Sequence, residues 1–169
     1  MRKNIIFFLF IINFATLPCV SHAQQVQNKA YNLMLKALLK HDVPEIGVSQ
    51  IPKNDTAILF LDARTLQEYK VSHIRNAVWV GDEGFKIFRV PSDFRKRKMI
   101  VYCSVGYRSE KVAEKLEKAG CNQVKNLYGG IFEWVNEGRP VYDSIGVTKR
   151  IHAYNHLWGI WLKKGTKVY

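Results

Sequence analysis

Two short apolar runs that do not alternate, Ala57-Ile58-Leu59-Phe60-Leu61 and Met99-Ile100-Val101-Tyr102, constrain the fold more than anything else in the chain. A strand with one wet face alternates apolar and polar residues. A run that does not alternate is buried on both faces, the habit of parallel sheets. Parallel strands need crossovers long enough to hold a helix, and the segments between these runs supply them. Thr65 and Glu68 form a capping box that opens a short helix. Ser109 has the character of an N-cap; Val112, Ala113, Leu116 and Ala119 line one face behind it, and Gly120 stops it. Val78 to Val80 and Val124 to Leu127 read as further strands, and Ile131 to Glu137 as a helix between Gly129-Gly130 and Gly138. Upstream, Tyr31, Met34, Leu35, Leu38 and Leu39 recur at helical spacing from Gln27 to His41. The expected class is α/β, with a mainly parallel central sheet flanked by helices on both faces. Ligands of such folds sit at the carboxyl ends of the strands, and Cys103 follows one directly.

The first residues stand apart from this pattern. Arg2 and Lys3 precede an apolar run from Ile5 to Phe14, and Ser21-His22-Ala23 offers the small residues of a cleavage site. Residues 1–23 therefore read as a signal peptide cut after Ala23, and the protein as exported, to a periplasm or the outside. An uncleaved anchor is the competing reading, but the run is shorter than the ~20 residues of a spanning helix. Pro18 before Cys19 argues against a lipoprotein. The remainder of the chain divides into an N-terminal helix (24–42), one domain (43–141) and a C-terminal extension (142–169). The net charge of +12 would suit nucleic acid, but export argues against that partner. Small anionic substrates or an anionic membrane surface fit better. The densest cluster, Arg95-Lys96-Arg97-Lys98, reads as a solvated loop first and a binding patch second.

Cys103 opens the loop Cys103-Ser104-Val105-Gly106-Tyr107-Arg108-Ser109, between a strand end and a helix start. Successive amides of a tight loop can converge on an anion, the helix start adds partial positive charge, Arg108 adds a cation, and Gly106 lets the loop close. Together these are expected to make Cys103 a nucleophile at neutral pH. Cys121 is an unsuitable disulfide partner. It enters the next strand at the opposite edge of the sheet, ~13 Å away at ~3.3 Å per residue, against a limit of ~7 Å between bridged Cα atoms. It is expected to be a small buried residue.

Several separated blocks resemble the rhodanese family, over about Val43 to Val141: Leu61-Asp62-Ala63-Arg64, Glu68-Tyr69, His73-Ile74, Asn76-Ala77, Val101-Tyr102-Cys103 with the loop to Arg108-Ser109, and Leu127-Tyr128-Gly129-Gly130-Ile131 with Trp134. Ser72 and Asn76 depart from it, standing where the family often has glycine. The resemblance implies a sulfurtransferase: Cys103 takes sulfane sulfur from a small anionic donor such as thiosulfate, holds it as a persulfide within Ser104 to Ser109, and passes it to a thiol or other thiophilic acceptor. No metal and no organic cofactor is implied. A catalytically silent binding module on the same fold is the alternative. Cysteine-based phosphatases and arsenate reductases place five residues between Cys and Arg; here four separate Cys103 from Arg108, which makes those activities the weaker reading.

Other residues invite roles. Asp62 and Arg64 read as a structural ion pair before acid–base catalysts, His73 as a turn-fixing residue before a proton shuttle, and Trp134 as packing. Tyr107 at the loop mouth suits either substrate contact or shielding. In the extension, Ile151, Tyr154, Trp158 and Trp161 recur at helical spacing ahead of Lys163-Lys164. That stripe is expected to fold back on the domain, with weak contact to a membrane surface or protein partner as the alternative.

Overall fold

The computed structural model describes residues 26–53 and 55–169; the proposed signal peptide lies outside the described residues. The first element of the described residues is α1 (Lys29–Leu38), whose N-cap Asn28 accepts from the Tyr31 amide and whose Tyr31 and Leu35 are buried. Five strands follow in the central sheet: β1 (Glu45–Ile46), β2 (Ile58–Asp62), β3 (Val78–Trp79), β4 (Lys98–Tyr102) and β5 (Val124–Leu127). They lie in the order β1-β5-β4-β2-β3, all parallel. The two non-alternating runs are the interior pair β2 and β4, in register from Ile58↔Lys98 to Asp62↔Tyr102.

Successive residues of these strands serve opposite cores. Leu59, Leu61, Met99 and Val101 pack with Val112, Ala113 and Leu116 of α3 (Tyr107–Lys118). Phe60, Ile100 and Tyr102 pack on the other face, with α1 and with Ile131, Phe132, Trp134 and Val135 of α4 (Gly130–Asn136). Helices on both faces explain why neither run could alternate. Cys121 is buried in the α3 cluster, and both it and Cys103 are unpaired thiols. The basic cluster is an exposed turn for the most part: Phe94–Lys96 is a single 3-10 turn, where Arg95 lies over the Phe94 ring and donates to Ala119 O.

Two local expectations are corrected. Ser109 is not the N-cap of α3. That position is Gly106, which has no side chain to cap with, and Ser109 lies buried in the first turn. The tail stripe is not one helix either. The extension forms β6 (Val141–Tyr142), β7 (Val147–Thr148), β8 (Arg150–His152), the single turn α5 (His156–Gly159) and β9 (Thr166–Val168). Asn155 interrupts the apparent periodicity by accepting from the Trp158 amide and starting a new turn. The tail does fold back: Ile151, Ala153 and Leu162 share the core of α1 and α4, and Trp161 stacks on Tyr31 at 5.1 Å.

The turn after α2 (Leu66–Val71) explains one departure from the family. Asn76 has φ 57°, the left-handed region that glycine enters freely and asparagine tolerates. Ser72 is extended at φ −171° and needs no glycine. Asn76→Val is therefore expected to lower stability by about 1–2 kcal/mol, and Asn76→Gly to change it by less than about half as much, in urea denaturation. Equal costs for the two would show that the backbone at this turn is not what the position selects.

Candidate active site

Cys103 leaves the end of β4 into a loop held from behind by α4. The Ile131 amide donates to Cys103 O at 2.9 Å and the Phe132 amide to Ser104 O at 3.1 Å. In a trans peptide the N–H points opposite to the carbonyl, so these two bonds turn the amides of Ser104 and Val105 away from α4. Gly106, at φ 118°, completes the bend, and its amide donates to Cys103 Sγ at 3.2 Å. Its carbonyl accepts from the Glu110 amide and from Asn126 Nδ2, both at 3.0 Å. Ser109 Oγ gives its proton to Asn126 Oδ1 at 2.7 Å. With a glycine as N-cap, the amides of Tyr107, Arg108 and Ser109 have no intrahelical partner and no side-chain cap. The positive end of a twelve-residue helix therefore stands behind the sulfur.

The guanidinium of Arg108 is committed elsewhere. It makes a two-pronged pair with Glu68, at 2.8 Å from Nη1 and 2.7 Å from Nη2, and Nη2 also donates to Ser104 Oγ at 3.1 Å. Ser104 Oγ in turn donates to Glu68 Oε1 at 3.1 Å. Burial opposes the charge on Arg108, but Glu68, Cys103 and Asp82 outweigh it and raise its pKa further above the ordinary value. Arg108 is thus a cation near the sulfur, with Cys103 among the groups that raise its pKa, but its hydrogen bonds go to Glu68 and Ser104, and the donor to the sulfur itself is a backbone amide.

Cys103 is only 1 % exposed, yet it lines a cleft of about 580 Å³. The other walls are the loops after β2 (Thr65) and β3 (Asp82, Glu83), the α3 residues Tyr107, Lys111 and Lys115, and Tyr154 and Trp158 of the tail. Every sheet-borne wall comes from a carboxyl end. Tyr107 sits at the mouth, with Lys111 Nζ 4.2 Å from its ring centroid.

Asp62 and Arg64 do not line the cleft. They form a fully buried ion pair at 2.6 Å, and Arg64 Nη2 also donates to Ser72 O at 2.6 Å. Burial disfavours the Arg64 charge, but Asp62 more than compensates and raises its pKa. The pair fastens the turn after α2 to the end of β2. His73 lies in that turn, stacked on Tyr69 and bridged through its backbone to Tyr142 of β6. Trp134 packs on Phe60. Glu68 and Asn126 were missed as site residues. The capping box found Glu68, but the signal for its second role is register: Asp62↔Tyr102 sets the β2 and β4 loops side by side, so a carboxylate on one can meet an arginine on the other.

The model of the rhodanese-like domain family matches residues 48–137, more than half of the chain. The chain belongs to the rhodanese-like family. Among curated relatives, the tRNA uridine(34) hydroxylases of Enterobacter sp. (strain 638) and of Escherichia coli O139:H28 (strain E24377A / ETEC) are each 31% identical over 91 residues, 51% of this chain and 26% of theirs. The chain thus spans about a quarter of the length of these relatives. Among solved structures, the BH2092 protein of Bacillus halodurans aligns with a TM-score of 0.54 at 26% identity, covering 70% of this chain and 88% of that one. The rhodanese-like domain of the Alr3790 protein from Anabaena sp. aligns with a TM-score of 0.54 at 24% identity, over 60% and 80%, and supports the fold. A rhodanese-like domain brings sulfur-handling chemistry in general. Tyr154 and Trp158 lie beyond the matched residues.

Proposed function

We propose that this rhodanese-like protein is a sulfurtransferase that carries sulfane sulfur as a persulfide on Cys103. The observation that carries the reading is the position of Cys103 Sγ in the cleft, 3.2 Å from the Gly106 amide and ahead of the uncapped start of α3. In the first half-reaction the Cys103 thiolate attacks the outer sulfur of thiosulfate. The donor's S–S bond breaks, and sulfite leaves with the bonding pair. The persulfide anion rests against amides of Ser104 to Ser109, which need not reorganise to receive it. In the second half-reaction a thiol, or cyanide in an assay, attacks the outer sulfur and the Cys103 thiolate returns. No cofactor enters either step. Arg2, Lys3 and the apolar run after them support export as the setting. The name tRNA uridine(34) hydroxylase belongs to much longer proteins, and tRNA is not part of this proposal.

The test is intact mass. Reduced protein treated with thiosulfate is expected to gain the mass of one sulfur atom and lose it to cyanide as thiocyanate, and Cys103→Ser protein is expected to gain nothing. Reduced protein that never gains sulfur would leave the silent binding module as the better reading.

A further inference from the structure

The C-terminal extension covers the core with one side and leaves apolar groups on the other. Around α5 the side chains divide by the period of the turn. Trp158 packs in part against the core, Trp161 stacks on Tyr31 at 5.1 Å, and Leu162 is 1 % exposed. Leu157 and Ile160 are 71 % and 48 % exposed, and three positions apart on one turn they are neighbours. The solvated side of such a turn ordinarily carries polar residues. Tyr169, 54 % exposed, adjoins α5: its ring meets that of His156 at 4.1 Å, and its hydroxyl lies 3.1 Å from the Cβ position of Gly159.

This patch is held in place and belongs to a segment of one charge sign. Asn155 starts the turn by accepting from the Trp158 amide at 3.0 Å. Asn136 of α4 fixes its end, donating from Nδ2 to Trp161 O at 2.9 Å and accepting from the Lys163 amide at 2.8 Å. Lys163 and Lys164 follow directly. With Lys149, Arg150 and Lys167 they are the five basic residues of the extension, and all five are exposed. Its one acidic side chain, Asp143, accepts from the amides of Ile145 and Gly146 in the β6–β7 turn.

We propose that Leu157, Ile160 and Tyr169, with Lys163 and Lys164, dock the protein on the anionic surface of a lipid bilayer. The apolar side chains dip among the headgroups, and the lysines lie against the lipid charge. Neither signal holds a protein to a membrane well alone, and together they do. A protein partner fits the charge less well, because protein interfaces are depleted in lysine and four of the five cations are lysines. No helix of the described residues is long and apolar enough to cross a membrane, so the contact lies on the surface. The turn that carries Leu157 and Ile160 also supplies Trp158 to the cleft wall, and docking therefore brings the cleft towards the lipid. Export, as proposed above, puts the protein beside a bilayer. The inference goes beyond the sulfurtransferase reading and does not depend on it.

The experiment is co-sedimentation with vesicles of phosphatidylcholine alone and of phosphatidylcholine mixed equally with phosphatidylglycerol. Residues 5–14 are themselves mostly apolar, so wild type and variants are compared with the same N-terminus. Wild type is expected to bind the mixed vesicles more tightly than the neutral ones. That advantage should vanish in about 1 M NaCl, where the screening length is about 3 Å. Leu157→Ser with Ile160→Ser is expected to weaken binding to the mixed vesicles by about 10-fold or more. Lys163→Glu with Lys164→Glu should weaken it by at least about 20-fold, at about fivefold for each cation near the surface. The lysine pair is fully exposed and provides a second route should the apolar pair fold poorly. Equal binding to the two vesicle types, or unchanged binding by both double variants, would overturn the proposal. So would a lipid-free dimer of wild type that Leu157→Ser with Ile160→Ser dissociates, which would assign the face to a second copy of the chain. None of the four substituted residues lines the cleft, so loading of Cys103 by thiosulfate is expected to be unchanged in solution.

Discussion

Gly130→Ala is expected to destabilise the protein by about 3–5 kcal/mol and to abolish sulfur loading on Cys103. Gly130 has φ 57°, and a Cβ there would stand 2.5 Å from Cys103 O and 2.6 Å from Ser104 C and O. The left-handed conformation alone costs an alanine about 1–2 kcal/mol. The contacts are to backbone, so no side chain can swing aside. Relief requires α4 and the loop to separate, which breaks the bonds from Ile131 and Phe132 at about 1 kcal/mol each. Those bonds set the peptide planes of Cys103 and Ser104, so the loss falls on the site as well as on the fold. Gly138→Ala is the control: it shares a positive φ of 79° but has nothing within 4 Å of its Cβ position. It should cost about 1–2 kcal/mol and leave loading intact. Urea denaturation of both variants, with loading measured where each is folded, separates a misplaced loop from general instability. Normal loading by folded Gly130→Ala protein would show that the α4 contact does not set the loop.

That close approach also shows where the sequence stops being informative. The α/β class, the parallel sheet and the position of Cys103 follow from local signals: runs buried on both faces, Thr65 with Glu68, and the glycines that end helices. Three features depended on chain segments that meet only in space. Ser109 looks like an N-cap because serine usually serves there, yet its hydroxyl is taken by Asn126 from β5, and Gly106 starts the helix instead. The pairing of Arg108 with Glu68 is not legible locally because its partner lies forty residues away on the β2 side. The tail looks helical because Ile151, Tyr154, Trp158 and Trp161 repeat at the right interval. They repeat because the segment must present apolar groups to one surface, and two strands with a short turn between them do that equally well.

The Arg108 pairing carries the second large expectation: Glu68→Gln should cost about 3 kcal/mol at neutral pH and slow sulfur loading. Glutamine at this position keeps the capping box with Thr65, so helix α2 retains its start while Arg108 loses its carboxylate. Breaking a buried pair by removing one partner costs about 3–5 kcal/mol. The lower end applies because the Arg108 side chain is 16 % exposed and Asp82 lies 3.8 Å away. Acid titration identifies the cause. Burial works to raise the Glu68 pKa, but the hydrogen bonds and charge of Arg108, with help from Arg64 and the Thr65 amide, lower it from 4.5 to about 2. A carboxyl depressed on folding contributes its stability in full above the unfolded value and loses it as pH falls towards the folded one. The gap between wild type and Glu68→Gln should therefore be constant above about pH 5 and close between about pH 4.5 and 2, read as the difference in urea midpoints. A gap that persists unchanged at pH 2 would assign the cost to packing instead of charge. Adding Arg108→Met to Glu68→Gln removes the stranded cation, so the double variant should recover at least about 1 kcal/mol relative to the sum of the single costs. Loading should not recover with it, because Ser104 and the start of α3 are fastened to the β2 loop through this pair, and a methionine restores volume without restoring that tie.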